Sequence, residues 1–247
     1  MALVLENGIW KLQADSSGDT PVTLSMGNGG SHSYGTLADG DTLSGGIWDG
    51  WKVQIDDAGT NPLALSDVSA GLQIVSTSPT GTRAITAAAI VTEMHGIYRD
   101  VKGDFSFGCT FAGGGTGDTY AIFGAGFWNI ADITRMGYSG AGNTYTTAAF
   151  RSYAGLTANG NTLGRSGGTS PVTLFSADIA FKIVRSGGSI TYFYGSDLSS
   201  LTQYYPASTN VKYDAVGNYC RLGIYLGGIV TATRTISSAE LTYIAAT

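Results

Sequence analysis

The residues able to do chemistry are few, and each group can be weighed in turn. Glu93 and His95 lie two apart in VTEMHGIYRD, with Arg99 and Asp100 close behind. On a strand, residues two apart share a face, so this carboxylate and imidazole could serve acid–base catalysis. Glycoside hydrolysis asks for more, since two carboxylates must flank the bond at about 5–9 Å. Glutamate is scarce: Glu6, Glu93 and Glu240 are the whole supply. The plainer reading of Glu93 and His95 is a polar strand edge meeting solvent. Sugar recognition is better provided for. A pyranose has an apolar face ringed by hydroxyls, and aromatic rings beside planar polar groups suit it. Trp128, Asn129, Tyr138, Arg151 and Tyr153 are the carbohydrate-binding candidates, with the Tyr204-Tyr205 pair beside them. Each can equally be an aromatic packed on a strand face, and Trp10, Trp48 and Trp51 are assigned to packing. Asp39, Asp41, Asp49, Asp56 and Asp57 are carboxylates of the kind calcium takes from loops, although such spacings are also common in turns. Cys109 and Cys220 alternate with apolar residues, so each reads as a buried thiol, with a bridge between them left open. With only His32 and His95 there is no zinc spacing.

The elements that must position these residues are strands. DFSFGCTF (104–111) alternates large apolar and small residues. AFKIVRSGGSITYFYGS (180–196) is a hairpin about Gly187-Gly188. CRLGIYLGG (220–228) and ELTYIA (240–245) read as the last two strands. Further strands are expected at 3–12, 50–55, 71–76, 86–94, 120–128, 135–140 and 148–153. Turn-rich clusters separate them, and no segment carries a capped helical stripe. Many short strands with regular turns make a sandwich or barrel.

Composition narrows the classes. The 247 residues hold 37 Gly but only 5 Pro, 43% hydrophobic residues and 13% charged ones. That composition supports a sizeable core and disfavours helix. A net charge of -5, with 13 basic residues scattered along the chain, argues against nucleic acid. No apolar run approaches the roughly 20 residues a bilayer requires, and the N-terminus lacks a signal-peptide pattern. Residues 25–46 are Gly-rich and poor in apolar side chains. They read as a loop or linker between an N-terminal strand or arm (1–24) and the main domain (47–247).

FKIVRSGGSITYFYGSDLSSLTQYY (181–205) resembles the late strands of concanavalin A-like (laminin-G-like, lectin/glucanase) jelly rolls. Arg185-Ser186-Gly187 and Ser196-Asp197 match the family's pattern, and Tyr204 stands where its Trp is usual. GDFSFGCTF (103–111), GAGFWNIADITRMGYSG (124–140) and YCRLGIYLGGIVTATRTISSAELTYI (219–244) follow the same order, so the likeness spans 47–247. Two departures matter: Leu198 replaces the usual Gly after Asp197, and the E-x-D-x-E strand of the family's glucanases is absent. The resemblance implies an all-β fold, a single antiparallel β-sandwich of concanavalin A-like jelly-roll type with an N-terminal extension. Calcium is common among its laminin-G-like members. Similar jelly rolls occur in phage particles. The expectation is therefore a non-catalytic virion surface protein (capsid decoration, fibre or tail adhesin) made in the host cytoplasm. It would contact other virion proteins through the N-terminal arm and take a cell-surface glycan as ligand. It would not be an enzyme, and would use neither nucleic acid nor membrane; a homo-oligomer stays open. The alternative is a polysaccharide-acting glycoside hydrolase or lyase of the same fold, with Glu93 as its required carboxylate.

Overall fold

The computed structural model describes residues 2–6, 9–13, 22–27, 30–55, 63–76, 95–114, 122–131, 135–144, 147–156, 165–167, 177–187, 189–205, 219–227 and 232–245. Among them every regular element is a β-strand. The first seven are β1 (Ala2–Glu6), β2 (Ile9–Gln13), β3 (Val22–Met26), β4 (His32–Ser33), β5 (Lys52–Gln54), β6 (Leu63–Val68) and β7 (Gly71–Ser76). The middle of the chain forms β8 (His95–Phe111), β9 (Ile122–Asn129), β10 (Arg135–Thr144), β11 (Thr147–Leu156) and β12 (Arg165–Gly167). The last are β13 (Ile179–Ser186), β14 (Ser189–Gly195), β15 (Leu201–Tyr205), β16 (Tyr219–Gly227) and β17 (Ala232–Ala245).

All pairings among the described strands are antiparallel, and β8 organises them. Its first half pairs with β16 and β5, and β9, β10, β11 and β12 follow outward from β16. This is the front layer. Its second half pairs with β13 and β17, to which β14, β15, β7, β6, β4 and β3 attach. This is the back layer. The two layers make a β-sandwich, as the alternation and turn spacing predict, of the jelly-roll type that the family resemblance implies.

Alternation along β8 explains the closure. Phe105, Phe107, Cys109 and Phe111 all point inward and are fully buried. Phe105 meets Phe127 at 5.3 Å and Phe111 meets Phe123 at 4.8 Å between ring centroids, so aromatic rings bridge the layers. Each such buried side chain contributes about 1.5–3 kcal/mol through area removed from water. Trp48 and Trp51 pack edge to face at 5.1 Å and belong to the same core, as expected of them.

Both thiols are free and buried. Cys220 Sγ accepts a hydrogen bond from Arg185 Nη1 at 2.6 Å. Burial pushes both thiols up in pKa, and Arg185 pulls Cys220 part of the way back.

Three differences from the sequence expectation have local causes. The single strand expected over 3–12 is two strands, with Glu6 opposite Ile9 and Asn7-Gly8 between them. Asn-Gly is a strong hairpin signal. Residues 25–46 do not stand off as a tether: β3 begins before them and pairs with β17, β4 pairs with β6, and Leu43 is 1% exposed in the core. Leu198, where the resembling family has Gly, folds over β8, its Cδ2 standing 2.7 Å from where a Cβ on Gly108 would lie. The expected strand at 86–94, and with it Glu93, lies outside the described residues.

Candidate functional site

The outer face of the front layer carries the densest set of residues suited to a ligand. Inward positions of β9 and β16 belong to the core: Phe123, Ala125 and Phe127, and Cys220, Leu222, Ile224 and Leu226. Their neighbours in the chain therefore face out. Register gives one transverse row as Lys52, Tyr98, Gly223, Gly126, Tyr138, Tyr153 and Arg165. The next row on one side is Asp100, Arg221, Trp128, Met136 and Gly155. On the other side it is Tyr225, Gly124, Gly140 and Arg151.

Glycines thus form an oblique stripe across three strands, Gly223 on β16, Gly126 and Gly124 on β9, Gly140 and Gly142 on β10. A strand glycine weakens packing and marks where another group can approach the backbone closely. Along one margin stand the positions of Arg221, Trp128, Tyr138 and Arg151, with Tyr225 on the other. Tyr98 and Tyr138, in one row, lie three inter-strand spacings apart, about 14 Å. Only the glycines Gly223 and Gly126 stand between them.

The β8 end of the face is electrostatically organised. Asp100 receives Arg221 Nε at 3.2 Å and Lys52 Nζ at 3.5 Å. The Arg221 guanidinium lies 3.9 Å from the Tyr98 ring centroid, a cation–π stack. Burial foremost lifts the Tyr98 hydroxyl above its ordinary pKa; Arg221 opposes that, and Asp100 and Asp39 add to it.

Four of the five carbohydrate-binding candidates, Trp128, Tyr138, Arg151 and Tyr153, therefore hold register positions on one face. Asn129 has the opposite parity, and its Oδ1 accepts the Ala131 N–H at 2.7 Å in the turn after β9. Trp128 is 4% exposed, which makes it a wall of the face rather than an open platform. Tyr204 and Tyr205 end β15, in the back layer.

A second polar cluster, unmarked in the sequence reading, lies at the β4–β6 edge. Asp67 follows Leu65 at the inward parity of β6, yet is a carboxylate 3% exposed. Its Oδ2 accepts Tyr34 Oη–H at 2.9 Å and the Ile47 N–H at 3.1 Å. Burial and Asp67 together raise the Tyr34 hydroxyl well above its ordinary value. His32 packs edge-on against Tyr34, 4.7 Å between ring centroids, and Gly46 leaves the space both side chains use. A charge at an inward position of an alternating strand is the signal that could have flagged Asp67.

Three of the calcium candidates each accept a backbone N–H in a turn. Asp39 Oδ1 accepts the Ile55 N–H, Asp41 Oδ2 the Ala38 N–H and Asp49 Oδ1 the Gly45 N–H. Asp56 and Asp57 lie outside the described residues. Among the described residues no three His, Cys, Asp or Glu side chains stand together as a metal cage.

No family model and no curated protein sequence matches the chain. Solved structures do match it in fold. A Saccharomyces cerevisiae protein described as functionally unknown aligns at TM-score 0.53 and 11% identity, over 74% of this chain and 92% of that one. A GH43 glycoside hydrolase engineered to show endo-xylanase and exo-arabinofuranosidase activity aligns at TM-score 0.54 and 15% identity, over 85% of this chain and 41% of that one. A bifunctional GH43-CE protein of Bacteroides eggerthii aligns at TM-score 0.53 and 11% identity, over 77% and 23%. The chain thus spans less than half the length of either GH43 protein. At these identities the likeness establishes the fold. It also corrects one expectation: the reading that the chain is not an enzyme is overturned, because glycoside hydrolase proteins carry this same sandwich.

Proposed function

We propose that this β-sandwich works on polysaccharide as the carbohydrate-engaging unit of a glycoside hydrolase, with the β8 end of the front face as its contact region. The observation that carries the reading is the partly exposed cluster there: Asp100 is bridged by Lys52 and Arg221, and the Arg221 guanidinium stacks on the Tyr98 ring. Aromatic rings suit the apolar face of a pyranose, and Arg suits its hydroxyls and acidic groups. The likeness in fold to GH43 proteins supports hydrolysis as the reaction served. The finer assignment, concanavalin A-like, is supported by Arg185-Ser186-Gly187 closing β13 and Asp197 capping the turn that follows β14.

Hydrolysis needs two carboxylates. Glu93, two residues before β8 and outside the described residues, is the carboxylate this proposal requires. The test pairs binding with cleavage. The full chain is incubated with arabinoxylan and a panel of plant and bacterial polysaccharides, and retention in affinity gels and released reducing ends are both measured. Expected are retention weakened by Arg221→Ala, and end release abolished by Glu93→Gln with retention intact. Retention without release from any polymer would sink the hydrolase half, and neither retention nor release would sink the whole reading.

A further inference from the structure

We infer that one sugar ring of the glycan stacks on Tyr219, with Ile130 beside it, and that the glycan is neutral. This rests on the polysaccharide reading above and names the substrate class of its contact region. The front face is closed at one end and open at the other. Along β16 its outward positions run from Tyr225 and Gly223, both buried, through Arg221, partly exposed, to Tyr219, which is 50% exposed. Along β9, Gly124, Gly126 and Trp128 are buried, and Ile130, just past the strand, is 41% exposed. On β8, Tyr98 is buried while Asp100 and Lys102 are half-buried. Register brings the three open ends together. Lys102 stands opposite Tyr219, and the Ile130 N–H donates to the Tyr219 carbonyl at 3.3 Å. Tyr219 thus offers a ring to solvent where Tyr98, Tyr225 and Trp128 do not.

The size and the chemistry of this spot select its occupant. Among the described residues the exposed large apolar side chains are Val22, Ile130 and Tyr219, and the last two are these neighbours. Adjacent strands lie about 4.8 Å apart, so the pair is about as wide as one pyranose ring. A protein partner would need roughly 800 Å² on each side, far more than two side chains present. An aromatic ring face bordered by polar groups suits the apolar face of a sugar and the hydroxyls around it. The charges close by are committed to one another: Asp100 lies between Lys52 and Arg221, and the Arg221 guanidinium is stacked on Tyr98. That leaves Lys102 beside the ring, a single charge with an interaction of its own. A contact region whose charges are spent internally, and whose open surface is a ring, recognises a sugar by its face and not by its charge.

The experiment measures retention of the full chain in affinity gels of arabinoxylan, mixed-linkage β-glucan and galactomannan, all uncharged, and of polygalacturonate. Retention is expected on at least one neutral polymer, changing by less than about twofold between about 0.05 and 0.5 M salt. Tyr219→Ala should weaken it roughly tenfold, whereas Tyr219→Phe, which keeps the ring, should stay within about twofold. Ile130→Ala should fall between those two. Val22→Ala, on β3 in the back layer, should leave retention within about twofold. Thermal melts of each variant confirm folding, and Tyr219→Leu, which keeps apolar bulk without a ring, replaces the alanine variant if that one melts early. Tyr219→Ala retained like the parent, with Arg221→Ala still weakening retention, would overturn the stacking assignment and leave the polysaccharide reading standing. Equal losses in Tyr219→Phe and Tyr219→Ala would overturn stacking in favour of the hydroxyl. Preference for polygalacturonate, or a tenfold loss on adding salt, would overturn the neutral class. Retention on none of the four, with no ends released from the wider panel, would overturn both readings.

Discussion

On the outer face of the back layer, Lys182 and Glu240 reach toward one another from the strands either side of Gly108 and pair over it. Leu198 comes down on the same glycine, and Thr23 and Thr242 hydroxyls meet at 3.4 Å one row away. The outer face of the front layer also centres on glycines. Its Asp100, Arg221 and Tyr98 gather at one end, and its glycines run on toward positions of Tyr138 and Arg151. The same residue type does two jobs. In the back layer Gly108 admits the protein's own side chains; in the front layer Gly96 and Gly223 let neighbouring strand backbones approach closely.

The most forceful way to break this comparison is to add a methyl group on each side. A Cβ on Gly223 would stand 2.5 Å from the Ile97 carbonyl oxygen, and one on Gly96 would strike the Ile224 carbonyl. Backbone cannot step aside as a side chain can. Gly223→Ala and Gly96→Ala should each cost on the order of 3 kcal/mol, read as a shift in urea midpoint. Gly108→Ala meets only the end of Leu198, which can rotate, and should cost under about 1 kcal/mol. Equal costs would mean that the two glycine sets are packing features of one kind.

Exchanging one cation on each face sharpens the contrast. Lys182→Met leaves Glu240 half-exposed without its partner. Arg221→Met removes both a stack on Tyr98 and a bridge to Asp100. Each should destabilise by about 1 kcal/mol, as partly solvated pairs do. Only the front-face variant should weaken glycan retention, measured in affinity gels. Loss of retention in Lys182→Met at unchanged stability would move the site to the other layer.

How much of this was legible beforehand depends on period. Alternation in DFSFGCTF and CRLGIYLGG placed Phe105, Phe107, Leu222 and Ile224 inside, and the structure buries all four. The Gly187-Gly188 hairpin was legible because its turn residues sit between two clean alternations, and Gly187 has φ +52°. Trp128, Tyr138, Arg151 and Tyr153 were chosen by residue type. That they share one face follows from register across β9, β10 and β11, which a single strand's pattern does not contain. Lys52 and Arg165 are brought into that row only by pairings among β5, β8 and β12 and their neighbours, which no single strand's pattern contains. Leu43 illustrates the opposite failure. One apolar residue in a Gly-rich stretch has no periodicity, and only the turn held by Asp41 and the Val53 N–H bond to its backbone shows that it enters the core.

The smallest predicted effect separates two carboxyls that both serve turns of the back layer. Asp104 accepts the Gly187 N–H with both oxygens, at 3.1 and 3.0 Å. Burial raises its carboxyl pKa above the ordinary 3.8, and the Gly187 N–H and Arg185 recover only part. Asp197 is exposed and accepts from the Ser199 hydroxyl and N–H and from Ser196, which hold it below that value. The signs oppose. The folded chain keeps the Asp104 proton after the unfolded chain has released it, so this contribution is complete below about pH 4 and is lost as pH rises through the folded value. The Asp197 contribution is complete above about pH 4 and is lost as pH falls through its lowered folded value. Asp104→Asn should therefore raise the melting temperature by about 2 °C at pH 7 relative to its effect at pH 3. Asp197→Asn should lower it by about 1 °C at pH 7 and leave it unchanged near pH 2. Melts recorded from pH 2 to pH 7 on both variants distinguish the two; parallel slopes would mean that burial does not dominate at Asp104, and that the two turns are held in the same way.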